Sequence, residues 1–390
     1  MRLSLMTWNW QQPDWPKFTW NRARLALAEE QFLVGGGIFV GAVKHLRDEE
    51  RDQLTIEAMS AEALTTSEIE GEILNRASVQ SSIQRQMGLT SDHRRVAPAE
   101  QGVSEMMVSL YKTFSAPLSE TMLFEWHRSL MKGRRDLLEV GTYRTSAEPM
   151  QVVSGAIDAS KVHFEAPPSN EVPFEMDGFI EWFNRTAPGS AEPLPALTRA
   201  GAAHLYFESI HPFEDGNGRI GRAIAEKSLA QNLGQPTLIA LATTILARRA
   251  SYYAALEAAN KRNDITNWLA WFAGATIEAQ RRTLALIEFL IAKTRLFDRL
   301  SGQLNERQKK ALLRMFEEGP EGFRGGLSAG KYRTITGASP ATATRDLGDL
   351  TEKCALVREG EKKGVRYTLG VPLKLVPRIS VSEHGELVES

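Results

Sequence analysis

The chain has 390 residues, 42% apolar and 24% charged, the usage of an ordinary globular protein with material for two to three domains of about 150 residues each. Its 47 basic and 48 acidic residues leave a net charge of −1, which excludes disorder as the main state and whole-chain steering toward nucleic acid or anionic lipid. A single cysteine, Cys354, excludes an internal disulfide framework and a cysteine-built zinc site. The opening stretch has no apolar core or small-residue cleavage site of a leader, and no apolar run approaches the roughly 18 residues of a membrane span. The expectation is a cytoplasmic protein with no membrane partner.

Residues 1–96 read as an N-terminal helical module. Trp8, Trp10, Trp15 and Trp20 crowd its first twenty residues beside Pro13 and Pro16, and tryptophan's size favours burial against a helix over a recognition surface. A helix follows from Asp48 to Leu74, with Leu54, Met59 and Leu64 among its apolar positions and Gly71 as terminator. Residues 97–284 read as repeated amphipathic helices punctuated at Pro117, Gly133, Pro188 and Gly234. One interval departs from this. Residues 150–168 hold a β-branched run, then Ser154-Gly155, then a second apolar run ending in Pro167-Pro168, the pattern of a small inserted hairpin. Residues 285–300 form a connecting helix. Residues 301–376 read as helix, helix, turn, helix and a strand wing, and residues 377–390 as a tail. The fold class is mainly α.

Residues 211–222 read His-Pro-Phe-Glu-Asp-Gly-Asn-Gly-Arg-Ile-Gly-Arg. The stretch before them, LTRAGAAHLYFESI, should stop as a helix ahead of Pro212, because proline disfavours the α region for its predecessor. His211 then sits at a loop edge and Phe213 pins the loop to the core. Gly216 and Gly218, flanking Asn217, permit positive φ and close backbone approach. A second helix opens near Arg219, and its free N–H groups make an anion cradle. Arg219 and Arg222 share a face, and Asp215 can hold a divalent cation. Each residue alone reads better as a turn, a satisfied loop histidine or a solvated face. Together they point to phosphoryl or nucleotidyl chemistry.

This stretch matches HxFx(D/E)GNGRxxR at every specified position, and the chain resembles the Fic family over about residues 97–284. The resemblance implies a mainly helical Fic domain with a hairpin flap, transferring AMP from ATP, with Mg²⁺, to a Ser, Thr or Tyr hydroxyl of a protein, itself included. It implies His211 as general base and Asp215 as metal ligand. It implies a backbone anion hole from Gly216 to Gly218, with Asn217 also contacting phosphate, Ile220 and Gly221 beside the nucleotide, and Arg219 and Arg222 on the outer phosphates. Tyr252 and Asn260, eight residues apart and able to share a helix face, resemble the family's adenosine side. Val162, His163, Phe164 and Glu165 resemble its flap, which takes up the target's extended segment. Thr66, Glu70 and Gly71 fit the family's inhibitory motif (S/T)xxxE(G/N), which implies a helix that blocks the ATP site through Glu70. Glu68 and Glu72 are competing carboxylates without the right offsets. Gly218 favours AMP transfer over phosphorylation, and removal of AMP by the same site remains an alternative activity.

A second function class is DNA binding. Residues 301–376 resemble a winged helix-turn-helix, with Arg333, Arg345, Lys362 and Lys363 placed for phosphates. Between residues 301 and 380 there are 15 Lys and Arg against nine Asp and Glu, a local +6. Such a domain serves equally as a docking or homodimer surface.

Overall fold

The computed structural model describes residues 7–44, 46–92, 94–154, 161–237, 239–319, 322–323 and 325–390. The described residues form a mainly helical protein with three two-stranded antiparallel sheets. They divide into two compact units, one of residues 1–41, 47–280 and 378–390, the other of residues 42–46 and 281–377.

The first unit is built around α7 (Ala196–Ile210) and α8 (Asn217–Leu233). Nearly every residue of α7 is buried, the polar Thr198, Arg199, His204 and Ser209 included. Its run Ala200-Gly201-Ala202-Ala203 lets neighbours approach closely, and a Cβ on Gly201 would meet Leu269 and Phe272. One core cluster joins α7 and α8 to α1 (Arg22–Lys44), α9 (Leu241–Ala247), α10 (Arg249–Ala259) and the start of α11 (Thr266–Arg299). The other joins them to α2 (Asp48–Ile69), α3 (Arg76–Gln86), α4 (Pro98–Thr113), α5 (Glu120–Leu130) and α6 (Val172–Arg185). The α7–α8 loop is pinned by Phe213, fully buried in the second cluster. Emptying that site with Phe213→Ala costs about 3–5 kcal/mol.

The expected hairpin is β1 (Gln151–Ser154) with β2 (Lys161–Glu165), paired antiparallel with a bulge between Val152 and Val153. Gly155, expected in its turn, lies outside the described residues. The tryptophan cluster does not bury itself on a helix as one body. Trp8 and Trp10 pack on β2, Trp8 edge-on to Phe164 at 5.4 Å, whereas Trp15 meets Phe18 and Tyr206.

Two sequence expectations are corrected. Residues 378–390 are not a tail: β5 (Ile379–Val381) and β6 (Leu387–Glu389) form a hairpin in the first unit. Ile379 is buried there, donating its N–H to Glu278 (3.1 Å) and accepting from Arg248 (2.8 Å). And one helix among the described residues, α1, is long and apolar enough to cross a membrane by length and composition. It buries Leu25, Ala28, Phe32, Gly35, Gly36 and Phe39 and exposes Leu27, Leu33, Val34 and Ile38. Its charged residues fall outside the apolar stretch from Phe32 to Val43, which includes four glycines.

The second unit packs α12 (Glu306–Phe316), α13 (Ala329–Thr336) and α14 (Pro340–Glu352) with the hairpin β3 (Leu356–Glu359) and β4 (Arg366–Leu369). Asn305, Ser328 and Ser339 cap the three helices, and Gly337 turns the chain between α13 and α14 at φ 72°. Buried Asp346 ties Asn305, Arg307 and Tyr332 together. Arg333, Arg345 and Lys362 are exposed.

Candidate active site

His211 ends α7, but not in the extended conformation that Pro212 favours. It takes the left-handed region, φ 51° and ψ 59°, while its N–H still bonds Phe207 O at 3.0 Å. Arg144 holds this turn, its guanidinium donating to the carbonyls of His211 (2.8 Å) and Pro167 (2.5 Å). Burial pushes the His211 imidazole down to about 4, and the charge of Arg144 pushes the same way. The ring is therefore neutral at pH 7, with Nδ1 free of hydrogen bonds.

Asn217 does not offer its side chain to a ligand. Its Oδ1 accepts from Phe213 N (2.9 Å) and its Nδ2 donates to Phe213 O (2.8 Å), closing the loop on itself. Gly216, at φ 85°, lets the chain enter α8. The first intrahelical bond runs from Ile220 N to Gly216 O, so the amides of Asn217, Gly218 and Arg219 stand at the open helix start, where negative charge is favoured. Beneath the loop, His127 stacks on Phe213 with centroids 4.2 Å apart. Its Nδ1 accepts from Gly141 N, so Nε2–H donates to Asp215 O. Burial holds this imidazole near 4, in its neutral form.

Asp215 accepts from Arg134 (2.7 Å), Arg219 (3.4 Å) and its neighbour Gly216 N (2.5 Å). Burial pushes its carboxyl up, but Arg134 and Arg219 outweigh it and leave it below the usual range. No cluster of three or more potential metal ligands exists among the described residues. A lone ionised carboxylate fits Mg²⁺, which keeps waters and substrate phosphates as its other ligands.

The C-terminal end of α2 covers both signature arginines. Arg222, only 2% exposed, donates to Thr66 Oγ1 (2.7 Å), Thr66 O (2.9 Å) and Glu70 Oε1 (2.8 Å). Burial opposes its charge, but Glu70 beside it more than restores it. The Glu70 carboxylate also fills the space where a Cβ on Gly218 would lie. Gly71, at φ 86°, reverses the chain, with Glu72 N returning to Ser67 O. That reversal delivers Glu72 to Arg219 at 2.8 Å. Glu72, a competitor of Glu70 by sequence, thus holds the other arginine, while Glu68 is exposed.

A cavity of about 540 Å³ opens beside the loop. Of the expected residues it is lined by Glu70, His163, Phe164, His211, Asp215, Gly216, Asn217, Gly218, Tyr252 and Asn260. Arg219 and Arg222 stand outside it behind their carboxylates, Ile220 is core, and Gly221 packs against His204 and Glu208. Val162 and Glu165 also lie off the cavity: Val162 joins the Trp8 cluster, and the Glu165 carboxylate accepts from Gln151. Tyr252 is buried and bonded to His204 Nε2 at 2.8 Å. His163 bridges Ser154 (2.6 Å) and Glu257 (2.7 Å), tying the flap to α10.

Glu208 escaped the sequence reading although its signal was present, a carboxylate in the apolar run one turn before His211. Its Oε2 stands 3.8 Å from His211 Nδ1 and its Oε1 is buried without a partner. Burial and then Glu70 push it up to about 8. Arg134, Arg144 and His127 were missed too, with no local signal.

Residues 8–89 match a domain of unknown function (DUF4172), and residues 117–229 match the Fic/DOC family. Similar curated proteins include protein adenylyltransferase fic-1 of Caenorhabditis elegans, 26% identical over 200 residues, which are 50% of this chain and 35% of that protein. Protein adenylyltransferase Fic of Drosophila virilis is 27% identical over 213 residues, 53% and 39% respectively. The chain therefore spans well under half the length of these relatives. A Fic family protein from Desulfovibrio desulfuricans G20 shares the fold at a TM-score of 0.51 and 22% identity, over 91% of this chain and 98% of that one. The chain carries a Fic/DOC-family domain, and the loop from His211 to Arg222 lies within it.

Proposed function

We propose that this chain is a protein adenylyltransferase, transferring AMP from ATP to a Ser, Thr or Tyr hydroxyl of a protein, itself included, and that Glu70 holds it off. One observation carries the reading: a neutral buried imidazole, open helix-start amides and an ionised carboxylate converge on one end of the 540 Å³ cavity. The names of the curated relatives support the same activity. In the reaction, the hydroxyl proton passes to His211. The oxygen bonds the α-phosphorus, and the bond to the β-bridging oxygen breaks to release pyrophosphate. The phosphates' own negative charge raises the basicity of His211 when ATP is bound. The amides of Asn217, Gly218 and Arg219 stabilise the charge that builds on the phosphoryl oxygens. Asp215 is the residue that would hold Mg²⁺, which supplies charge neutralisation on the polyphosphate. Arg219 and Arg222 would take the outer phosphates once Glu72 and Glu70 leave them.

The test is incorporation of labelled AMP into the Glu70→Gly chain, with and without His211→Ala. Loss of incorporation with ATP binding retained is expected. Undiminished incorporation overturns the base assignment.

A further inference from the structure

We infer that Trp8-Asn9-Trp10, far outside the Fic/DOC match, braces the nucleotide cavity from behind its lining, fixing the orientation of the Asn260 amide and the seat of strand β2. The inference rests on the cavity's reading as an ATP site. Asn9 is fully buried and held at both ends. Its backbone N–H donates to Asn260 O at 2.7 Å, and its own carbonyl accepts from Asn263 Nδ2 at 3.3 Å. Its side-chain Oδ1 is spent on Trp10 N (2.9 Å), so only Nδ2 is left to point inward, and it donates to Ser209 Oγ at 2.8 Å. The Ser209 hydroxyl, having accepted, turns its own hydrogen to Asn260 Oδ1 at 3.4 Å. The relay runs one way. With Oδ1 occupied, Asn260 presents its NH₂ to the cavity it lines, so the ligand group there must be an acceptor, such as a ribose or phosphate oxygen or a ring nitrogen.

The two tryptophans act on strand β2. Trp8, 5% exposed, stands edge-on to Phe164, a cavity-lining residue. The Trp10 indole N–H donates to Glu165 O at 2.7 Å. Because Ala166 N bonds Met150 O, the Glu165 carbonyl points away from β1, and Trp10 caps the outer edge of β2. One tripeptide therefore sets two lining groups of the cavity, the polar Asn260 and the apolar Phe164.

Asn9, Ser209, Trp8 and Trp10 are positioning residues, tested by calorimetric ATP affinity and transfer kinetics in the full Glu70→Gly chain. Asn9→Ala is expected to weaken ATP binding about five- to tenfold, with the loss falling on KM more than on kcat. Ser209→Ala should match it. The double variant should be no weaker than either single, because both break one relay. Trp10→Phe, which keeps an aromatic ring and removes the donor, should cost less than Trp10→Ala. A role limited to folding predicts lower melting temperatures with unchanged ATP affinity in the folded protein, and that result overturns the inference. Additive losses from Asn9→Ala and Ser209→Ala overturn the relay. If the Glu70→Gly chain binds no ATP at all, the nucleotide reading fails and this inference with it. ATP bound equally by that chain and its Asn9→Ala variant overturns this inference alone.

Discussion

Replacing Glu70 with glycine removes one of three hydrogen bonds that Thr66 and Glu70 accept from Arg222. A charge-assisted bond of this kind is worth about 1.5–3 kcal/mol when shielded. The arginine is 2% exposed but the Glu70 side chain is 30% exposed, so solvent screening reduces the value to about 1–2 kcal/mol. At 1.4 kcal/mol per tenfold, the population with Arg222 free rises about 5- to 30-fold. The same substitution clears the space over Gly218 that the carboxylate occupies. Both changes act on AMP transfer in the same direction, so 5- to 30-fold is the lower bound for the rise in self-modification. The assay is incorporation of labelled AMP into the chain at fixed ATP and Mg²⁺. Glu68→Gly, which removes an exposed carboxylate two residues from Glu70, is the control and should change little. Arg222→Ala should not imitate the activation, since that arginine is also needed to hold phosphate. The clamp as assigned is wrong if Glu70→Gly is no more active than the parent, or if Glu68→Gly is equally active.

Glu72→Gly should activate as well, but only about two- to fivefold, because the Glu72 carboxylate is 37% exposed and its pair with Arg219 is correspondingly screened; no activation would mean that Arg219 is not limiting. Gly71→Ala places a Cβ at φ 86°, costing about 1–2 kcal/mol, and should both lower the melting temperature and raise self-modification; an unaltered melting temperature would show that the turn relaxes without strain. Glu62 in α2 accepts the Ala242 N–H with both oxygens, and burial pushes it to about 7 from an ordinary 4.5. The folded chain therefore holds more protons than the unfolded one between those values, and stability falls as pH rises through that window. Melting temperature should drop between pH 5 and pH 8, and Glu62→Gln, which cannot ionise, should flatten the drop; an unchanged slope would place the titration elsewhere.

The legible part of the site is the part that is local in sequence. From His211 to Arg222, twelve consecutive residues build the turn, the glycine entry and the helix start, and each role follows from neighbours in the chain. Even there Asn217 misleads, since an amide that fits a phosphate fits the backbone of Phe213 equally well. Glu72 was illegible for a different reason: the offset rule counts along a helix, and Gly71 reverses the chain just before it. Arg134, Arg144 and His127 come from elements about 70 to 90 residues upstream, and nothing in their own surroundings marks them. The helical class followed from periodicity. The partition into domains did not, because α11 runs unbroken from Thr266 to Arg299 across the expected boundary at 284.

The hairpin of residues 379–389 makes the first unit a body assembled from separated stretches of chain. Residues 281–377 form a long excursion between Glu278 and its hydrogen-bond partner Ile379, 101 positions apart. A fragment cut at Leu284 would keep every signature residue and still expose the apolar seat of Ile379, together with a buried carboxylate and Arg248 deprived of part of their partners. During synthesis the same seat stays open until residues 379–389 emerge. Closing so large a loop is slow relative to local helix formation, so the interval before closure is one in which this face is open to other chains.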